Sequence, residues 1–291
     1  MIKRSILIIL TVITFNIKAQ EVTKFPYPSL SPKGTISQTV GNTVITIEYE
    51  RPSARKRQIF GTLVPWDKVW RTGAGHCTKI HFDRTVKVGG QTVEAGIYSL
   101  FTIPNPNEWI VILNSNTSLY GSFNYDPKED VARFVAIPKA SNRFYETLNF
   151  DIDIIPNNAK VFISWANIQV SFDIQTTTDM DTEGYIQTEL LTKKNKDSDA
   201  YAGAAEYLFY QRENLSEALK LAETGIELNN NGWARGVKIR IFEHLKLYNN
   251  ALQEINEYLQ KVPSMNYSQE QKKSLLTQLK SDYERISNLM K

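Results

Sequence analysis

Between Arg51 and Phe82 the chain gathers Arg51, Arg55, Lys56, Arg57, Lys68 and Arg71 against Asp67, with Trp66, Trp70, His76, the only cysteine, Cys77, and His81. A guanidinium presents a planar fork of donors that suits carboxylate or phosphate. An indole offers a face on which a sugar or aromatic ring can stack. Arg51, Arg57, Trp66, Trp70 and Arg71 are therefore the first candidates for holding an anionic or carbohydrate-like ligand. The same residues also read as a solvated basic loop, with the tryptophans plugging one end of a β domain and Arg71 paired internally. A second candidate is the polar, aromatic segment 114–128, where Tyr120, Phe123 and Tyr125 surround Gly121. Aromatics on a loop give large contact area at little entropic cost, although such a loop can equally be tacked down by its own rings.

His76, Cys77 and His81 are fewer than the ligands of a closed tetrahedral zinc site. On a strand starting near Thr78 the alternation places residues 77 and 81 on one side and 76 on the other or in the preceding loop. No metal and no cofactor is expected from this set. A thiolate activated by Arg71 or His76 has no third group to orient it, and a buried cysteine is the commoner outcome. The sequence contains no Gly-x-Ser-x-Gly elbow, no His-Glu-x-x-His and no phosphate-cradling glycine loop. Asp67, Glu94, Asp126 and Asp130 are carboxylates without informative spacing. An exported hydrolase acting on carbohydrate or envelope material, with Asp67, Arg71 and His76 near its centre, is the alternative to a non-enzymatic binding module.

The elements that would position these residues are mainly β. Residues 20–34 hold several prolines and read as an extended lead-in. Alternating apolar residues on both sides of Gly41-Asn42 predict a hairpin with one buried face. Further strands are expected at 78–82, 85–88, 91–94, 97–103, 108–113, 131–137, 147–154, 160–165 and 168–174, with turns at Gly89-Gly90, Asn157-Asn158 and Ala166-Asn167. Short strands with such regular turns predict an antiparallel β-sandwich, jelly-roll-like, over 35–175.

Residues 176–198 are polar and read as a linker, with room for a short helix at 185–193. From 199 to 291 the apolar period becomes helical. Leu215, Ala218, Leu219, Ala222 and Ile226 recur as Tyr248, Ala251, Leu252, Ile255 and Leu259. That spacing is close to the tetratricopeptide repeat of about 34 residues. It predicts a short tetratricopeptide-like stack of α-helical hairpins, capped by a last helix over 268–290, with a groove able to take a protein partner.

The N-terminus sets the expected compartment. Lys3 and Arg4 precede an apolar run from Ser5 to Ile17, and Ala19 offers a small residue before a cut. Residues 1–19 are thus expected to be a cleaved signal peptide, too short for a comfortable membrane span, and the protein to be periplasmic or secreted with no transmembrane segment afterwards. The chain carries 34 basic and 31 acidic residues, and three of the basic ones lie in the leader, so the mature chain is neutral. Nucleic-acid binding needs a basic excess and is not expected. A single cysteine can form no internal disulfide, so stability must come from packing.

The runs SPKGTISQTVG, YERPSARKRQIFGTLVPWDKVWRTGAG, GGQTVEAGIYSLFTIPNPNEWIVILN and YDPKED together resemble the exported bacterial family of the domain of unknown function 2911. The resemblance covers Ser31 to Gln175, and relatives often carry a helical C-terminus. The matching positions are Arg51, Pro52, Arg57, Phe60, Gly61, Pro65, Trp70, Arg71, Thr72, Gly73 and Ala74. The resemblance implies no activity and no catalytic residues. Gly75, His76 and Cys77 stand where relatives commonly continue with Asn-Glu, which weighs against a family chemistry built on the His-Cys pair.

Overall fold

The computed structural model describes residues 26–211 and 214–291. The expected signal peptide and residues 20–25 of the lead-in lie outside the described residues. Strands β1 (Lys33–Val40) and β2 (Thr43–Glu50) form the expected hairpin, and every second side chain of β2 is buried. They continue into β3 (Thr78–Phe82), β6 (Gly96–Ile103), β7 (Trp109–Asn114) and β8 (Asp130–Ala136), a six-stranded antiparallel sheet in the order β1-β2-β3-β6-β7-β8. Facing it is a four-stranded sheet in the order β5-β4-β10-β9, built from β4 (Val86–Val88), β5 (Gln91–Val93), β9 (Lys139–Ile155) and β10 (Asn158–Thr176). Ile45, Ile47, Ile80, Phe82 and Leu100 of the first sheet meet Val88, Leu148, Val161, Ile163 and Ile174 of the second in one core. This is the expected antiparallel sandwich, followed by helices.

Two local expectations change. Ala166-Asn167 is not a turn: β10 runs through it with a register shift, and Ala166 takes a left-handed φ of 53°. The extra residues lie on β9, two opposite Trp165 and three opposite Asn167; such bulges bend a strand pair without ending it, so β9 and β10 make a single long hairpin. The passage read as a linker has its short helix where room for one was expected, as a wider π-helical turn at Ile186–Thr192, but the helical run begins earlier, with α1 (Thr178–Tyr185). Tertiary contacts override its polar composition. The Thr178 hydroxyl accepts from the Asn42 N–H at 2.9 Å in the β1–β2 turn. Asp179 Oδ1 accepts from Asn157, Tyr207 and Gln211, which joins the tip of the β9–β10 hairpin to the helical part.

Helices α2 (Ser198–Gln211), α3 (Leu215–Asn229), α4 (Gly232–His244) and α5 (Tyr248–Lys261) each pack on the next, α2 also touches α4, and α6 (Gln269–Asn288) packs on α5. Ala218 and Ala222 in α3, and Ala251 and Ile255 in α5, are the buried positions that recur in the sequence. Small side chains there let paired helices approach closely. Asn214, Asn231 and Ser268 cap the N-termini of α3, α4 and α6, the last with a full capping box.

Candidate functional site

The arginines and tryptophans of the central stretch divide by what their polar atoms do. Arg51 reaches across to β9, where its Nε donates to the Leu148 carbonyl at 3.1 Å and its Nη2 to Thr147 and Asn149. Arg57 turns back on its own loop and donates to the Ala54 and Ser53 carbonyls. Trp70 is buried, stacks on Trp165 at 5.8 Å between ring centres and donates Nε1–H to the Gly73 carbonyl. Trp66 is partly buried and stacks on Phe60. With Trp109 these rings close one end of the sandwich.

Arg71 is different. Alternation sends Trp70 into the core and Val69 and Arg71 to the outer side of the six-stranded sheet, where Val69 packs on Phe101 and Leu119. Arg71 Nε is buried and has no hydrogen-bond partner among the described residues. Unpaired buried donors are uncommon in native proteins because desolvation is not offset. Arg51 and Arg57 spend their donors on backbone carbonyls, and Arg240, whose Nε is likewise unpartnered, is held through Nη2 by Glu206, whereas Arg71 has no such partner among the described residues.

The backbone around Arg71 holds this arrangement in place. Trp70 pairs with Thr102 of β6, but the chain leaves the strand at Arg71 and rejoins it at Thr78, whose N–H donates to the Arg71 carbonyl. The excursion between them is pinned by Thr78 Oγ1 donating to the Thr72 carbonyl at 2.8 Å and by the Thr72–Thr102 hydroxyl pair at 3.0 Å. Its outer rim pairs with the second candidate loop: the Gly121 N–H donates to the Gly75 carbonyl, and the Cys77 N–H to the Leu119 carbonyl. A Cβ on Gly121 would stand 3.0 Å from the Phe123 ring and 3.7 Å from Arg71 Nη1, so ring and guanidinium flank one glycine.

The loop after β7 is ordered by its own side chains. Asn114 Oδ1 accepts from the Asn116 N–H, and Asn116 Oδ1 from the Ser118 N–H. Leu119 is buried with Phe101, Ile112 and Cys77. Tyr125 packs edge-on to Phe101 and donates to Asp130 Oδ2 at 2.6 Å. Burial, and then the Asp130 hydrogen bond, push the Tyr125 phenol up to about 12. With Leu119 and Tyr125 as anchors, Tyr120 (65% exposed) and Phe123 (88% exposed) point outward. Tyr120 also stands edge-on to His76, with ring centres 5.1 Å apart.

The structure therefore brings Arg71 together with His76, Tyr120 and Phe123, and sends Arg51, Arg57 and Trp70 to other tasks. Cys77 is buried with its Sγ 2.9 Å from Ser99 Oγ. Asp67 accepts from Asn105 at the neighbouring turn.

Beside the Gly75–Gly121 contact lies a cleft of about 440 Å³, lined by Lys33, Thr35, Glu48, Glu50, His76, Cys77 and Lys79 among others. These positions on β1, β2 and β3 are the polar half of the alternating pattern, which from sequence is indistinguishable from an ordinary solvated face.

Residues 31–174 match the family described as protein of unknown function (DUF2911). The chain belongs to that family through its β-sandwich. No curated protein and no solved structure matches the chain. The DUF2911 domain takes in β1 through nearly all of β10, with Arg71, the aromatic loop and the cleft inside it, and leaves the helical hairpins outside.

Proposed function

We propose that the protein is an exported, non-enzymatic binding module of the cell envelope whose DUF2911 domain holds an anionic or carbohydrate-like ligand on the outer face of the six-stranded sheet. Arg71 supplies the anion-binding fork, and Tyr120 and Phe123 supply the stacking surface. The observation that carries this reading is the buried, unpartnered Arg71 Nε beside two outward-facing rings. An anion accepting from Arg71 would satisfy that donor. The hydrogen-bonded loop holds the rings in place before a ligand arrives, so little ordering entropy is lost on binding.

The helical hairpins, read as tetratricopeptide-like, offer a separate groove of about 500 Å³ between α4, α5 and α6, lined by Trp233, Tyr258, Tyr267 and Leu275 among others. We assign that groove to a protein segment. The leader residues Lys3, Arg4 and Ser5–Ile17 support export.

The test is a thermal-shift screen of the mature protein against sugars, phosphorylated sugars and short peptides. An anionic or sugar ligand is expected to raise the melting temperature of the wild type, and Arg71→Ala to remove the shift while leaving the ligand-free melting temperature nearly unchanged. A shift that survives Arg71→Ala takes Arg71 out of the site.

A further inference from the structure

The cleft beside the Arg71 site carries opposed charges that do not neutralise one another. In the strand register Lys33 is opposite Glu50, and Glu48 is opposite Lys79. Directly opposed charges on neighbouring strands ordinarily pair. Here none of the four side chains has a hydrogen bond or an ion pair among the described residues, and all four line the cavity.

Glu50 is the most confined of the carboxylates. It is partly buried, and its carboxylate lies directly against Gly75, where a Cβ would come within 2.4 Å of Oε2. Gly75 holds a left-handed φ of 58°, a conformation that favours glycine, and the carbonyl of the same residue accepts from the Gly121 N–H. The Glu50 carboxylate at Gly75 and the Arg71 guanidinium at Gly121 thus flank the two ends of one backbone hydrogen bond, each without a protein partner of opposite charge.

We infer that the cleft is a subsite for an ammonium group, held by Glu50 with Glu48 beside it, so that the ligand recognised at Arg71 is a small zwitterion. This inference rests on the proposed anion site at Arg71 and adds the second half of the ligand. A carboxylate accepts charge-assisted hydrogen bonds from an ammonium group, and the cavity walls reduce the screening that weakens such a pair in open water. Lys33, Lys79 and His76 line the same cleft, so a ligand that carries an anionic group beside its ammonium is favoured over a bare cation. Two chemical sources share this pattern: phosphorylated amino sugars, whose ring would lie on Tyr120, and short peptides with both termini free.

Matched ligand pairs separate the ammonium from everything else. Binding of glucosamine 6-phosphate, glucose 6-phosphate and N-acetylglucosamine 6-phosphate, and of triglycine and N-acetyltriglycine, is measured by calorimetry on the mature full chain. In one of the two series the ligand with the free amino group is expected to bind on the order of tenfold tighter than its neutral partner, the scale of one hydrogen bond to a charged group. The series that shows the difference identifies the source. Glu50→Gln, which keeps the side-chain shape, is expected to abolish that difference and to leave the affinity of the neutral partner unchanged. Equal binding of the paired ligands, an advantage that survives both Glu50→Gln and Glu48→Gln, or no binding in either series overturns the inference. Arg71→Ala distinguishes the two proposals: if the neutral anions lose binding in this variant but the amino group never matters, the anion site stands and the ammonium subsite falls. If Arg71→Ala changes nothing while Glu50→Gln removes the amino-group advantage, it is the anion site that falls.

Discussion

At the residue scale, the central stretch teaches that an arginine's role depends on where its donors end. Arg51, Arg57 and Arg71 look alike in sequence, yet two spend their donors on carbonyls or neighbouring side chains and the third keeps a buried Nε unpaired. Stability should sort them in the same way. Trp70→Ala removes a buried ring stacked on Trp165 and is expected to cost about 3–5 kcal/mol. Arg51→Ala breaks the tie to β9 and is expected to cost about 1–3 kcal/mol. Arg71→Ala should lie within about 0.5 kcal/mol of the wild type, as at a site without structural partners. Urea denaturation of the three variants checks the ranking, and a large loss for Arg71→Ala would make it a structural residue. Spacing alone could not separate these arginines, because the partners of Arg51 lie on β9, almost a hundred residues away in the chain.

At the element scale, most of what was readable came from periodicity. The β1–β2 hairpin, the strands up to β8 and the recurrent alanines of α3 and α5 follow from local patterns that the fold respects. The bulge at Ala166 and helix α1 were not readable, since each depends on a partner distant in the chain: β9 for the bulge, and the β1–β2 turn and α2 for the helix. The cleft was hidden for a related reason. Glu48, Glu50 and Lys79 fit the solvent half of an alternating strand, and only the return of the Gly73–Cys77 excursion turns that face into a cavity.

Two predictions belong to this scale. In the helical part Arg235 and Glu254 form a buried ion pair between α4 and α5, joined by Lys238. Glu254→Ala leaves Arg235 buried without its partner and is expected to cost about 3–5 kcal/mol in chemical denaturation. The second concerns alkaline pH. Burial, and then the hydrogen bond to Asp179, push Tyr207 up to about 12 from its ordinary 10.0, as burial and Asp130 do for Tyr125. A raised folded pKa means that the unfolded chain loses its proton first. The contribution of these phenols is therefore intact below pH 10 and falls as the pH rises toward about 12. Melting temperatures across that range should drop, and Tyr207→Phe together with Tyr125→Phe should flatten the drop. An unchanged slope in the double variant would locate the alkaline sensitivity elsewhere.

At the scale of the whole molecule, the family domain is joined to the C-terminal helices through Thr178 and Asp179. Export is the proposal that fixes where this assembly works. Expression in a bacterial host with the leader intact is expected to yield a secreted or periplasmic protein beginning at Gln20, read by N-terminal mass spectrometry; a protein that retains residues 1–19 in the cytoplasm would contradict it. The central claim concerns the face itself. Backbone amide shifts of the mature protein, followed by nuclear magnetic resonance during titration with a ligand from the thermal-shift screen, test it most directly. The account predicts the largest perturbations at Arg71–Cys77 and Leu119–Phe123. Perturbations confined to the Arg51–Arg57 turn or to the helical groove, with those two segments silent, would contradict it.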